Sequence, residues 1–346
     1  MRSFTLVIAL LLLVVSAGAA FAADRAEIVA EREAVDALRL NQLQFVGTHN
    51  SYHVRPPEKS LQAAISLRSE AKEWDYSHAP LDVQLDRGVR SFELDMHYKQ
   101  GEFAVFHVPF LDSGSTCPKL ADALSTVRAW SDKHPDHLPI SFLCELKSEG
   151  PRLDRTIKEV DAEGFTKLDA AIRAAFPDKH LLTPDDVRGS EETLRAAVQK
   201  HGWPKVAESR GRVFFILHDA GKQRALYTAE HPSQRGRAMF VRSDDSREDC
   251  AIMVLDNPGA PAIGEMVNRG YIVRTRADSG LKVQGKNAPA RRDVALASGA
   301  HIVSTDFPAG EADAKTGYVV EFPDGAAARV NPVNGPEALR GKTVEK

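Results

Sequence analysis

The sequence predicts an α/β protein built as a (β/α)8 barrel, a single TIM-type domain with an N-terminal helix and an irregular C-terminal extension. Three observations predict it. Eight short apolar, strand-like runs fall at 43–46, 89–96, 103–107, 140–146, 212–218, 238–241, 271–275 and 301–304. Helix-like segments lie between several of them, at 119–130, 167–176, 191–201, 263–268 and 293–297. Parallel strands need such crossovers, and eight units in about 320 residues suit a barrel. Third, side chains able to do chemistry gather at the C-terminal ends of the runs, the face where barrels carry their sites. A doubly wound open sheet is the competing arrangement.

Taken in order, the chain opens on a leader. Arg2 supplies a positive charge, 6–15 is unbroken apolar, and Ala20-Phe21-Ala22 fits the small-x-small cleavage rule. Residues 1–22 therefore read as a secretory signal peptide, which predicts an exported protein, periplasmic or secreted. The mature chain, 23–346, divides into a barrel core of about 44–307 and an extension of 308–346. Residues 24–42 are polar and helix-prone, with Ile28, Val35 and Leu38 at roughly helical spacing. The connection from 55 to 86 is long and mixed, with a helix expected around 60–72. Its Trp74 and Tyr76 read as buried rather than interfacial. The gap between 146 and 212 is too long for one crossover and predicts extra elements. After Asp306 the alternation stops. Residues 318–322 read as an outer strand, and the last residues as a loose end.

Composition narrows the function. The chain has 346 residues, 43% of them hydrophobic, with a formal net charge of −3. That leaves a sizeable core and no basic stripe for nucleic acid. No run after the leader is long enough to span a bilayer. Cys117, Cys144 and Cys250 permit one disulfide in an oxidising compartment, with the pairing open. Without a C-x-x-C, a thiolate zinc site is not expected.

The chemistry starts at Gly47-Thr48-His49-Asn50-Ser51-Tyr52, a polar exit from the first strand. A histidine there can move a proton near neutral pH, and the amide beside it can offer a hard oxygen. Glu93 and Asp95 end the second run two residues apart, so they share a face while Phe92, Leu94 and Met96 take the other. Glu145 ends the fourth run, with Lys147 on its face. Carboxylates gathered together repel, and a hard divalent cation resolves the repulsion. Asn50, Glu93, Asp95 and Glu145 offer only oxygen, which suits Ca²⁺ or Mg²⁺. His49 and His107, at the ends of the first and third runs, then flank the metal as a general acid–base pair. Arg274 and Arg276 share a face on the seventh run. They hold substrate, or they pair with Asp278 or Asp306. Lys147 faces the same choice. Asp306 is a weaker candidate, His218 is left open, and His53, His78 and His97 read as supporting residues.

These stretches resemble a known family. The 47–52 motif, Asp75-Tyr76-Ser77-His78-Ala79-Pro80-Leu81, Gln84 to Asp95, and Val105-Phe106-His107 look like the Ca²⁺-dependent phosphatidylinositol-specific phospholipases C of bacteria. The specific motifs cover 46–107; beyond Lys147 the match rests on strand order. The resemblance implies a TIM-type barrel with His49 and His107 in catalysis and Ca²⁺ on Asn50, Glu93, Asp95 and Glu145. It implies cleavage of phosphatidylinositol to diacylglycerol and a cyclic inositol phosphate, at a membrane surface and with no obligate protein partner. Two other readings compete. A glycerophosphodiester phosphodiesterase shares the barrel and the acidic site but opens on His-Arg-Gly, where this chain has His49-Asn50-Ser51. A non-catalytic headgroup-binding barrel would need neither histidine.

Overall fold

The structure, a computed structural model, describes residues 31–147, 150–279, 285 and 287–345. The expected leader, and residues 24–30 of the expected first helix, lie outside the described residues; 31–36 are helical. The strands are β1 Leu43–Thr48, β2 Ser91–Lys99, β3 Glu102–Val105, β4 Ile140–Leu146, β5 Ile157–Lys158, β6 Val213–Leu217, β7 Met239–Val241, β8 Ile252–Val254, β9 Ile272–Arg276, β10 Ile302–Thr305, β11 Ala328–Val330 and β12 Thr343–Val344. Eight of them run parallel in the order β7-β6-β4-β2-β1-β10-β9-β8. A single parallel bridge, Arg242 to Ile252, joins the two ends and makes a nearly closed barrel.

Two expectations about the strands are corrected. The run at 103–107 is not a barrel strand. β3 pairs antiparallel with the far end of β2, through a two-residue turn in which Gln100 and Gly101 have φ 55° and 86°. Positive φ at both central residues is the hairpin turn whose twist matches the strands, and it throws the chain straight back. The missing barrel strand is β8, an apolar triplet too short to stand out in the sequence. His107 therefore sits on a loop folded over the barrel mouth, not at the end of a third parallel strand.

Burial follows the pleat. Phe92, Leu94 and Met96 pack outward with Leu124 and Val127 of the helix Leu120–Lys133. Phe142 and Phe215 are register partners on β4 and β6 and stack at 4.9 Å. Inside, the barrel is filled: a residual cavity of about 10 Å³ is lined by Leu143, Ile216, Ile252, Ile302, Glu93 and Arg274, among others. β1 and β2 approach closely at Gly47 opposite Ser91, where a Cβ would stand 2.7 Å from the Ser91 Cβ.

Extra helices do fill 150–209, at Gly150–Leu153, Ala162–Ala175, Pro184–Arg188, Leu194–Lys200 and Val206–Ser209. The extension is more ordered than expected. Residues 318–322 form no strand beyond one bridge, Pro308 to Val320. Instead β11 pairs antiparallel with the lower half of β1, which β2 leaves free because it starts only at Ser91. Near the chain end, Glu345 accepts from Leu138 N–H and ion-pairs with Arg90 and Arg210, each at 3.1 Å. All three cysteines are free, buried thiols, so no disulfide forms. Among the described residues no helix is long and apolar enough to cross a membrane.

Candidate active site

The turn after β1 is held by a buried polar network. His49 N–H donates to Thr305 O at 2.9 Å, which keeps the chain beside β10 one residue past the strand. Asn50 then takes a left-handed φ of 46°, a conformation asparagine tolerates better than most residues. Ser51 Oγ accepts Glu93 N–H at 2.7 Å. Gln84 Nε2 donates to Ser51 O and Ala79 O at 2.7 and 2.6 Å. Buried polar groups need such partners, and here they tie β1, β2 and the 75–81 motif to one another.

His49 faces two carboxylates. Its Nδ1 lies 2.7 Å from Asp306 Oδ1, and its Nε2 lies 3.8 Å from Glu93 Oε1. Burial and Arg276 push the imidazole down, Asp306 and Glu93 push it up, and the net is a pKa above the ordinary histidine value. Asp306 also receives Arg276 Nη2 at 3.0 Å. Burial opposes its ionisation, but Arg276 and His49 together hold it far below the usual carboxylate range. Glu93 has Arg274 Nη2 at 2.5 Å; burial again opposes, yet Arg274 and then His49 hold it down to about 2. Arg274 also pairs with Asp256. Both candidate arginines thus sit against carboxylates, Arg276 reaching Asp278 as well, at 3.4 Å.

The other acids are crowded. Asp95 and Glu145 are register partners on β2 and β4. The Asp95 carboxylate is buried and its oxygens complete no hydrogen bond, although Lys147 Nζ stands 3.0 Å from Oδ2. Lys147 Nζ is also 3.0 Å from Glu145 Oε1. Burial, then the Asp95 charge, outweigh that lysine and raise the Glu145 pKa. Single ligand atoms of Glu93, Glu145 and His218 lie within 4.8 Å of one another. One lysine and one arginine leave three carboxylates short of positive charge; Asp95 lies outside the close group of Glu93, Glu145 and His218, and its buried oxygens complete no hydrogen bond. This carboxylate-rich donor set fits a hard divalent cation, and Asn50 is buried on the turn after β1. His218, left open by the sequence, brings a nitrogen to the same place, and burial keeps its pKa low.

His107 arrives by another route. Its Nδ1 lies 2.8 Å from Asp112 Oδ2, whose carboxylate also meets His53 Nε2 at 3.0 Å. Burial opposes Asp112 ionisation, but His107 and His53 lower its pKa on balance. His97 Nε2–H donates to Phe106 O and His107 O at 3.0 and 3.2 Å, fixing the loop backbone. Trp74 presents its ring 5.2 Å from the His107 ring, edge-on. His107, Glu145, Lys147, His218, Arg68 and Arg242 line one cleft of about 340 Å³. A larger cavity, about 990 Å³, lies at the N-terminal ends of the strands beside Arg90 and Trp130 and holds none of the candidate residues.

Sequence reasoning missed Asp112 and Glu311. Glu311 lies 2.6 Å from His78 Nδ1 and accepts from Ala79 N–H at 2.9 Å and Arg87 at 3.1 Å, while His78 Nε2 lies 3.0 Å from His49 O. Asp112 stands only five residues past His107, so its spacing was a visible signal; Glu311 lies 233 residues from His78 and gave none.

Comparison with known proteins bears on the family and the fold. The family model described as phosphoinositide phospholipase C, Ca²⁺-dependent, matches residues 38–104 and 96–332. No curated protein matches the chain in sequence. Among solved structures, the Ca²⁺-dependent phosphoinositol-specific phospholipase C of a Pseudomonas species is similar at TM-score 0.57 and 17% identity, covering 86% of this chain and 96% of its own. The Ca²⁺-dependent phosphatidylinositol-specific enzyme of Streptomyces antibioticus is similar at TM-score 0.55 and 19% identity, covering 78% and 95%. These likenesses support the barrel, and the family match spans both histidines and all the clustered acids. The family model covers most of the chain, and the chain belongs to the Ca²⁺-dependent phosphoinositide phospholipase C family.

Proposed function

We propose that the chain cleaves the glycerol–phosphate bond of phosphatidylinositol by acid–base catalysis from His49 and His107. One observation carries this reading: each histidine has a buried aspartate on Nδ1, Asp306 at 2.7 Å and Asp112 at 2.8 Å. An aspartate there fixes the tautomer and leaves Nε2 to trade a proton with substrate. In the reaction a ring hydroxyl of inositol attacks phosphorus while one histidine takes its proton. The new P–O bond forms, the bond to the glycerol oxygen breaks, and the other histidine protonates that oxygen. Diacylglycerol leaves, and a cyclic inositol phosphate remains. Asn50, Glu93, Asp95 and Glu145 would hold Ca²⁺, which when bound offsets phosphate charge. Lys147, 20% exposed in the cleft, would face the phosphate. Arg274 and Arg276 would act through Glu93 and Asp306, orienting them, rather than on substrate.

The leader at 1–22 supports export to the periplasm or beyond, with barrel and extension forming one domain from 23 onward. N-terminal sequencing of protein recovered outside the cytoplasm should begin at or close to Ala23; Met1 there would contradict cleavage. For the activity, release of water-soluble phosphate from phosphatidylinositol, set against glycerophosphoinositol, tests the reading. Preference for the second substrate would move the chain to the phosphodiesterase alternative.

A further inference from the structure

His218 stands at the barrel mouth, and the proposed reaction gives it no task. It follows the end of β6, where its backbone N–H donates to Cys144 O at 2.8 Å and holds the chain beside β4. The register sets its neighbours. Cys144 and Leu217 are partners on β4 and β6, so Glu145 and His218 stand one step further on at one level. Alternation sets its face. Phe215 and Leu217 pack in the outer core, which turns His218 toward the barrel axis with Ile216. One ring nitrogen there lies within 4.8 Å of a carboxylate oxygen of Glu93 and of one of Glu145. The His218 Nδ1 is buried and has no hydrogen-bond partner among the described residues. A buried polar atom is costly to leave so, unless a ligand takes it up. Both carboxylates have an oxygen to spare. Arg274 holds Glu93 by Oε2 and Lys147 holds Glu145 by Oε1, which leaves the second oxygen of each.

We infer that His218 is a nitrogen ligand of this cation site, and that the site therefore accepts a first-row transition ion, Mn²⁺, as well as Ca²⁺. The inference rests on the proposed reading that Glu93 and Glu145 hold the cation, and adds to it a donor of a different kind. Ca²⁺ takes oxygen ligands. Imidazole nitrogen suits first-row transition ions, which form stronger bonds to it. One imidazole among carboxylates makes a mixed site. Ca²⁺ is held there by the oxygens and gains little from the ring, whereas Mn²⁺ is held by both. A structural histidine is tied to its neighbours through both nitrogens, as His301 is by Val273 N–H and Asn41 O. His218 is not. A proton-transfer role also fits less well, because His49 and His107 each carry an aspartate on Nδ1 and His218 carries none.

The test uses the full mature chain, with Mn²⁺ as the probe and Ca²⁺ as its competitor, and needs no turnover. Pulsed electron paramagnetic resonance of the Mn²⁺-loaded protein should show modulation from a directly bound nitrogen. His218→Phe keeps a ring of similar size without either nitrogen, and should abolish that modulation; His49→Ala should keep it. By calorimetry, His218→Phe should weaken Mn²⁺ binding about tenfold and Ca²⁺ binding by less than about twofold. Added Ca²⁺ should displace the Mn²⁺, since both occupy one site. A wild-type spectrum without nitrogen modulation overturns the inference, and this arm does not depend on any variant folding. Modulation that survives in His218→Phe overturns it too, as does Mn²⁺ that Ca²⁺ cannot displace. Ca²⁺ binding without nitrogen modulation would remove His218 alone and leave the carboxylate site standing. Failure to bind either ion would overturn the inference and the proposed cation site together.

Discussion

Each histidine of the site is set by a carboxylate that the fold supplies from elsewhere. For His49 that carboxylate is Asp306, delivered by the end of β10; for His107 it is Asp112, delivered by a tight loop. General acid–base residues contribute about 10²–10⁴-fold each, so His49→Ala and His107→Ala should lower kcat by roughly that range. Ca²⁺ affinity, read by calorimetry, should change little, and the double variant should lose less than the product of the two. Loss of Ca²⁺ binding in either variant would reassign that histidine as a ligand. Asp306→Asn adds a sign test. Asp306 raises the His49 pKa, so its removal should move the His49 limb of the kcat–pH profile to lower pH. A limb that stays in place would show that Asp306 does not act on His49. At this scale the sequence was legible for groups whose neighbours lie in the same motif. His49 and Asn50 follow the end of β1, and Glu93 and Asp95 share one face of β2 by simple alternation. Glu311 was not legible, since nothing local marks a glutamate that meets His78 across the fold.

At the scale of elements, the hairpin of β2 and β3 decides where His107 goes. Alternation correctly separated Phe92, Leu94 and Met96 from Glu93 and Asp95, because a strand covered on both sides still has a pleat. It failed at 103–107, since a strand-like run does not say which way it runs. The signal lay in the turn: two residues with glycine second, between Lys99 and Glu102. Gly101 has φ 86° and no atom within 4 Å of an added Cβ, so Gly101→Ala meets only backbone strain. It should cost about 1 kcal/mol in urea unfolding. An unchanged midpoint would show that the turn relaxes without loss. β8 illustrates the other failure: three apolar residues carry too little pattern to be distinguished from a buried loop, and only the barrel's closure assigns them.

Across the whole molecule, the barrel and seven of its eight parallel strands were recoverable from the sequence, whereas β8 and the extension were not. β11 finds its place only because β2 begins late and leaves the lower edge of β1 open, a fact of register that no local pattern shows. The base of the barrel also carries a pH-sensitive joint. His301, buried, accepts Val273 N–H at Nδ1 and donates from Nε2 to Asn41 O, so the fold holds it neutral and burial lowers its pKa to about 4. An unfolded histidine titrates near 6.5, so the unfolded chain binds the extra proton first as pH falls. Stability from this group should be intact above about pH 6.5 and decline by about 1.4 kcal/mol per pH unit toward pH 4. The difference in urea stability between wild type and His301→Gln isolates it from the other titrating groups. A difference that does not vary with pH would show that His301 is not held neutral.

The measurement closest to the central claim is phosphorus NMR on the purified mature chain with phosphatidylinositol vesicles, run in Ca²⁺ and again in excess chelator. The account predicts a cyclic inositol phosphate signal that appears with Ca²⁺, vanishes on chelation, and returns when Ca²⁺ is restored. Full turnover in chelator, or an acyclic phosphomonoester as the first product, would contradict it.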